Sequence, residues 1–394
     1  MNPEKIRKDF PIFQERSELS YLDNAATTQK PEVVTQTVKN FYEKKNANVG
    51  RGLYDLSHEA TEAYREARIK VADFINASTP DEIVFVRNTT EAYNLVAESL
   101  DFMGDIVVGE MAHHSEQLPL RKNANRHGKE VKYIETENGK LSVESAEKLI
   151  DHETGLVSIS HMSNVFGAEN PVDEIIEIAK AHNAIVLLDG AQSVPRMPVD
   201  VKELDVDLMA FSGHKMLGPT GIGVLYGKKH VLESMEPYQV GGGMIKSVSK
   251  ESASWEDPPE KFEAGTPNVA GAVGLGAAVD YLNQLDMEEV KQHDIELTSK
   301  MIEGLEEIEG IEVLSPEGSS LVSFTADWAH PHDVAEVLNQ HEVAVRAGHH
   351  CAQPQMEELD INGSTRASPY IYNTEEDVEK FLEGVKEARE VFKR

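Results

Sequence analysis

The chain reads as an α/β protein: a large domain on a mostly parallel sheet flanked by helices, followed by a smaller α+β C-terminal domain. Three observations predict this. With 394 residues the chain exceeds one ordinary hydrophobic core, so two domains are expected. Short apolar runs rich in β-branched residues alternate with helical stretches from about residue 60 to 230, the pattern of a parallel sheet covered on both faces. Beyond residue 286 that alternation gives way to short strands and helices.

In order, residues 1–20 are expected to pack with the small domain, residues 21–285 to form the large one, and residues 286–394 the small one. The opening MNPEKIRKDFPIF lacks the apolar run of a signal peptide. EATEAYREARIKVADFIN (59–76) has apolar residues at helical spacing. IVFV (83–86), DIVV (105–108), LVSIS (156–160), IVLLD (185–189) and DLMAF (207–211) read as strands. TEAYNLVAES (90–99) and PVDEIIEIAKAHN (171–183) read as intervening helices. A Gly-rich helix (269–285) and a long charged helix (287–309) follow. The small domain then offers IEVL, LVSFTA, HDVAEVLNQH, VAVR and a last helix from Thr374.

The charge is lopsided, with 38 basic against 69 acidic residues and a net of −31. That balance opposes nucleic-acid binding, which needs a basic surface. The acid is diffuse, without the block that marks an acidic tail. Self-repulsion of this size is tolerable where salt screens it, since the Debye length falls to about 3 Å at molar ionic strength. A halophilic protein of a salt-rich cytoplasm is the expectation; the alternative is an ordinarily acidic mesophilic protein. No run of about 18 apolar residues exists, so no membrane span is expected.

The chemistry-bearing residues sit at expected strand ends, where ligands gather in such sheets. Asp189 ends IVLLD, before Gly190, Ala191 and Gln192; an acid there can bind a metal, pair with a cation or cap the next helix. Lys215 lies in SGHKMLGPTGIG, just past a strand end. The ordinary fate of a lysine is the surface, but in a crevice near other cations it loses its proton and becomes an amine nucleophile. Thr89 or Thr90 is placed to cap the helix after IVFV, with Glu91 early in that helix, and helix N-termini bind phosphate. His113 and His114 follow DIVVGE, where an imidazole can stack on a flat ligand or be an ordinary loop histidine. Together these elements describe pyridoxal 5'-phosphate. It needs a lysine for its aldehyde, an acid for its pyridine nitrogen, a phosphate cup and a flat surface over its ring. GPTGIG is not a dinucleotide loop, because it precedes a strand, VLY, instead of opening a helix.

The single cysteine, Cys351, stands in VRAGHHCAQP after Arg346, Gly348, His349 and His350. One cysteine cannot form an internal disulfide and makes a poor zinc site. It is a buried, inert thiol or a nucleophile; nearby cations favour the reactive thiolate, and Gly348 lets the backbone flex.

These motifs resemble the cysteine desulfurases of the Suf type (group II), within the fold-type I, class V aminotransferase-like enzymes. The resemblance runs the length of the chain through YLDNAATTQKP, NTTEAYNLVA, HHSE, SNVFGAENP, LLDGAQSVPRMPVDV, FSGHKMLGPTGIGVLY, FEAGTPN, VRAGHHCAQP and STRAS with YNTEEDV. It implies that Lys215 carries the cofactor, Asp189 pairs with the ring nitrogen, Gln192 contacts the ring hydroxyl and His113 stacks on the ring. Thr90, Ser212 and His214, with the Thr89 backbone, would hold the phosphate, and Thr266 would reach the phosphate of the other subunit of a homodimer. Asn164 and Arg366 would bind the substrate carboxylate. Cys351 would take sulfur from L-cysteine as a persulfide, supported by Arg346, His349 and His350, and pass it to a Suf-type acceptor protein for iron–sulfur cluster assembly. The alternative on the same scaffold is a selenocysteine lyase or a cysteine sulfinate-processing enzyme. A thiol hydrolase would leave Lys215 and Asp189 unexplained, and a non-catalytic sulfur-assembly subunit would release no alanine. One segment departs from the pattern: near NVGRGLYDLS, relatives carry histidines where this chain has Gly50 and Tyr54, while Arg51 is kept.

Overall fold

The structure, a computed structural model, describes residues 1–50 and 52–393. Arg51 lies outside the described residues. Seven strands form the main sheet: β1 (Ile83–Val86), β2 (Asp105–Gly109), β3 (Val131–Ile134), β4 (Thr154–Ser160), β5 (Ile185–Asp189), β6 (Leu208–Ser212) and β7 (Gly223–Gly227). Their order is β1-β7-β6-β5-β4-β2-β3. From β6 to β3 every pairing is parallel, and β7 runs antiparallel to both of its neighbours. Every residue of β1, β4, β6 and β7 is buried, which explains their largely apolar sequences.

Alternate side chains along the strands feed two cores. Val107, Val157, Val186 and Met209 face one side, with helices α1 (Asp55–Phe74), α4 (Val172–Ala181) and α5 (Val269–Leu282). Ile106, Leu156, Leu187 and Ala210 face the other, with α2 (Thr89–Ser99) and α3 (His114–His127). The glycines of α5 let it lie hard against α1. A Cβ on Gly276 would stand 3.2 Å from Ala67 Cα. The strand β3, an edge strand of sequence VKYI, is missing from the sequence reading. Only Ile134 of it is buried, so it carries no apolar run.

The second unit is an antiparallel sheet of β8 (Ile311–Val313), β9 (Val322–Ala326), β10 (Arg346–Gly348) and β11 (Ser364–Ala367), in the order β8-β9-β11-β10. Helices α6 (Met287–Glu306), α7 (Pro331–Gln340) and α9 (Glu375–Phe392) enclose a third core around Met301, Phe324, Leu338 and Phe381. Asp286, where the sequence reading divides the chain, caps α6 by accepting from Glu288 N–H.

Two devices join the units. The N-terminal segment lies along the seam: Ser20–Tyr21 pairs in parallel with Val343–Ala344, and Phe10 packs edge-on against Tyr281 of α5 and Tyr372. Deeper in, Arg196 pairs with Asp294 of α6 and donates to the Pro369 carbonyl at 3.0 Å. Both side chains are almost wholly buried, and Asp294 Oδ1 has no partner among the described residues. Burial pushes the Asp294 carboxyl upward, against the pull of Arg196. Breaking such a pair costs about 3–5 kcal/mol when a bare charge is left behind. An aspartate escapes that penalty by taking a proton, whereas a guanidinium cannot shed its charge. Asp294→Asn is therefore expected to lower the denaturation midpoint further than Arg196→Met. Thermal and urea unfolding of the two variants would show the reverse ranking if the pair were not charged.

Candidate active site

The parallel strands deliver their carboxyl ends to one edge of the sheet, and the candidate residues follow from there. After β1 the chain turns directly into α2. The cap of that helix is Asn88, which accepts from Glu91 N–H at 2.9 Å, and not Thr89 or Thr90 as the sequence suggested. Both threonines are already helical, and their hydroxyls reach sideways: Thr89 Oγ1 to Ser212 Oγ and Thr90 Oγ1 to Ser115 Oγ, each at 2.7 Å. Gly223 makes the arrangement possible, because a Cβ there would lie 2.7 Å from Asn88 Cα. The start of α2 thus sits against the sheet beside Ser212, a cup of hydroxyls and helix N–H groups suited to phosphate.

Asp189 ends β5 and is buried; its Oδ1 accepts from Ala191 N–H at 2.9 Å. Burial raises its pKa and Lys215 pulls it back down. Lys215 closes a short 3₁₀ turn, Gly213–Lys215, after β6. Burial lowers its amine to about 8; Asp189 opposes this, and Arg366 and Arg346 reinforce it. His113 caps α3, its Nδ1 accepting from Ser115 N–H at 3.0 Å, so any single proton belongs on Nε2. Burial, then Lys215, hold that ring neutral down to about pH 3. Gln192 donates from Nε2 to the Ala25 carbonyl at 2.8 Å. Burial likewise pushes His214 down to about 4.

One cavity of about 200 Å³ gathers Thr89, Thr90, His113, Asp189, Gln192, Ser212, His214 and Lys215 on the large-unit side. Asn164 also lines it from the large unit, and Arg346, His350 and Arg366 close it from the other. Arg366 is almost wholly buried, donates from Nη1 to the Asn164 carbonyl at 2.8 Å and pairs through Nη2 with Asp23 at 3.2 Å. Its Nε has no partner among the described residues. Asp23 carried no role in the sequence reading, although it stands in the motif YLDNAATTQKP. Glu116 was missed too: it is wholly buried, takes hydrogen bonds from Ser158 and Ser160, and burial raises its pKa to about 8. A glutamate in a polar helix gives no local sign of that.

The His350–Cys351 stretch of the cysteine loop is tied to the large unit by hydrogen bonds. The Asn164 amide donates to the His350 carbonyl at 2.8 Å, and His114 N–H donates to the Cys351 carbonyl at 2.8 Å. The His350 ring is buried against Ser364, 2.9 Å from its hydroxyl. Burial pushes that ring down to about 2, so His350 stands near the thiol as a neutral ring and not as a cation. His349 is exposed. The nearest cation to the half-buried Cys351 thiol is Arg346, with Nη2 3.6 Å from Sγ. Thr266 lies outside the cavity, exposed in a separate cleft with Gly50, Arg68 and Glu263. Tyr54 is also exposed.

The aminotransferase class-V family matches residues 20–381. The chain belongs to that family. It is 46% identical to a protein of Haloferax volcanii named cysteine desulfurase, over 98% of this chain and 97% of that one. Among solved structures, a cysteine desulfurase from Thermococcus onnurineus superposes with a TM-score of 0.94 at 42% identity, covering 100% of this chain and 99% of the other. A cysteine desulfurase from Escherichia coli does so at 0.93 and 36%, with the same coverage. Pyridoxal phosphate is the cofactor of this site, and the residues present fit it. The cavity offers an acid at its floor, an amine with a lowered pKa, a neutral flat ring and a hydroxyl-lined helix start. Lys215 would hold the aldehyde, Asp189 the ring nitrogen, and Thr89, Thr90, Ser212 and His214 the phosphate. When bound, the group supplies an electron-accepting ring next to the substrate α-carbon. Among the described residues no cluster of metal ligands occurs, and no helix is long and apolar enough to cross a membrane.

An amine attacks an aldehyde only when neutral, and burial brings Lys215 to that form above about pH 8. The rate at which cofactor-free protein takes up pyridoxal phosphate is expected to rise about tenfold per pH unit below that point and to level off above it. Stopped-flow absorbance measures this directly. A rate still climbing steeply at pH 10 would show an amine of ordinary basicity.

Proposed function

We propose that this protein is a cysteine desulfurase that converts L-cysteine to L-alanine, leaving the sulfur on Cys351 as a persulfide. The observation that carries the reading is the placement of the sole cysteine beside Arg346, which lines the same cavity as Lys215 and Asp189. Arg366, tethered by Asp23 and Asn164, is a fixed guanidinium for the substrate carboxylate. Lys215, neutral near pH 8, takes the α-proton and returns one to carbon. Asp189 would hold the ring nitrogen of the cofactor in its protonated form. His113, neutral with its proton on Nε2, would offer its ring face and carries no charge to compete with Lys215.

In the sulfur step the Cys351 thiolate attacks the substrate sulfur. The new S–S bond forms as the C–S bond breaks, its electron pair stays with carbon, and a proton completes the methyl group of alanine. The products are alanine and a protein persulfide, with no further oxidant or reductant. The persulfide then passes to an acceptor protein of Suf type for iron–sulfur cluster assembly, a reading supported by VRAGHHCAQP. The site belongs to a homodimer: Thr266, exposed and outside its own chain's cavity, is free to meet the phosphate of a second subunit. The net charge of −31 suits a salt-rich cytoplasm.

Cys351→Ala is expected to keep the yellow cofactor band and to lower alanine release from cysteine by at least about a hundredfold, with selenocysteine breakdown retained. Lys215→Ala is expected to lose the bound band. Absorbance and alanine assay in the presence of a thiol reductant test both variants. Undiminished alanine release without the thiol would sink the proposal. Equal loss of both substrates' turnover would leave selenocysteine as good a substrate as cysteine.

A further inference from the structure

The motif YLDNAATTQKP closes on a single atom. Four donors converge on the carbonyl oxygen of His214: Thr28 N–H at 3.1 Å, Thr27 Oγ1 at 3.1 Å, Thr28 Oγ1 at 3.2 Å and Lys30 Nζ at 2.8 Å. That oxygen belongs to the peptide bond from which Lys215 hangs. The Thr28 hydroxyl also accepts from Leu217 N–H at 3.0 Å, so both sides of Lys215 are tied to one side chain. Leu217 needs that hold, being a non-glycine residue at φ 65°. A carbonyl has two lone pairs, and closing a turn takes one donor.

Lys30 makes this more than a turn. Its ammonium is largely enclosed and rests on the Thr28 carbonyl, the Thr28 hydroxyl and the His214 carbonyl, with no carboxylate partner among the described residues. Removing an ammonium from water without a counter-charge costs free energy, and here burial lowers the Lys30 pKa to about 7. The fold bears that cost at one peptide plane.

The other end of the same stretch grips the substrate side. Asp23 pairs with Arg366, and Ala25 N–H donates to Ser368 Oγ at 2.9 Å; next to Lys30, Gln29 N–H donates to Tyr372 Oη at 2.9 Å. We infer that residues 23–30 form a strap between the Arg366 clamp and the Lys215 turn, and that Lys30 is a positioning residue for Lys215. The amine must leave the cofactor for substrate and return to it, which demands an anchor that stays still. The inference rests on Lys215 as the cofactor lysine, as proposed above.

The test uses holoenzyme of Lys30→Met and, should that variant fold poorly, Thr28→Val. Hydroxylamine competes with Lys215 for the cofactor aldehyde, so the concentration that bleaches half of the visible band measures how well Lys215 is placed. The variants are expected to bleach at about tenfold lower hydroxylamine and to lose about tenfold in kcat, with KM for cysteine within about twofold because the Arg366 end is untouched. Unchanged bleaching and kcat with only a lower melting temperature would make Lys30 a fold-stabilising residue and overturn the inference. A raised KM with kcat intact would overturn it as well, assigning the strap to substrate binding alone. A Lys215→Ala variant that keeps the band removes its premise and overturns it too. If wild-type protein makes no alanine from cysteine, the proposed function fails, while the bleaching curves still decide the role of Lys30.

Discussion

The site depends on the charge interaction between two buried groups, Lys215 and Asp189, in a cavity lined by more positive than negative side chains. Arg366 and Arg346 act on Lys215 against Asp189, while Asp23 nearby is tied to Arg366. Burial pushes each group toward its neutral form, and the surplus of cations presses Lys215 further in the same direction. Asp189 alone among the larger influences opposes the loss of the lysine proton. The result is an amine that reaches its neutral form near pH 8 and a cavity still short of negative charge. A phosphate and a substrate carboxylate supply that charge. Burial first, and then the same surplus of cations, keeps His113 and His214 neutral.

The second dependence is on Asn164, which joins two parts of the reaction. Its carbonyl accepts from Arg366, and its side-chain amide donates to the His350 carbonyl. The substrate clamp and the cysteine loop therefore share one residue. That loop needs external support: Gly348, His350 and Cys351 all have positive φ, at 116°, 51° and 58°. For the two non-glycine residues this costs about 1–2 kcal/mol each. Asn164, the His350–Ser364 contact and His114 offset it, and they come from both units of the fold. The thiol is held by tertiary contacts on a backbone that local preference would not choose.

This explains which parts of the structure were legible in the sequence. Six of the main-sheet strands stand out because burial on both faces leaves short apolar runs, and that signature is local. The edge strand β3 has no such run and was invisible. The positions of Asp189 and Lys215 were legible because strand ends are legible, and the parallel topology sends those ends to one place. The cap of α2 was misplaced by one residue, since NTT offers three capping side chains in a row and only tertiary partners for the Thr89 and Thr90 hydroxyls leave Asn88 with the task. The tethers of the cysteine loop were hidden for a related reason: nothing within a Gly-His-His run announces the serine and asparagine that hold it from 14 and 186 residues away.

The charge of the whole chain gives these local arguments a common frame. A net of −31 is spread over a surface on which a cavity with three converging cations is an exception. Exposed carboxylates interact over no more than a Debye length and weaken as salt is added, whereas groups in a closed cavity are screened far less. Ionic strength can therefore vary over a wide range while the balance that sets Lys215, between burial, Asp189 and the two arginines, stays nearly constant. The acidity of the exterior and the basicity of the site belong to different dielectric worlds. The chain can be tuned for its solvent without disturbing the amine on which its chemistry turns.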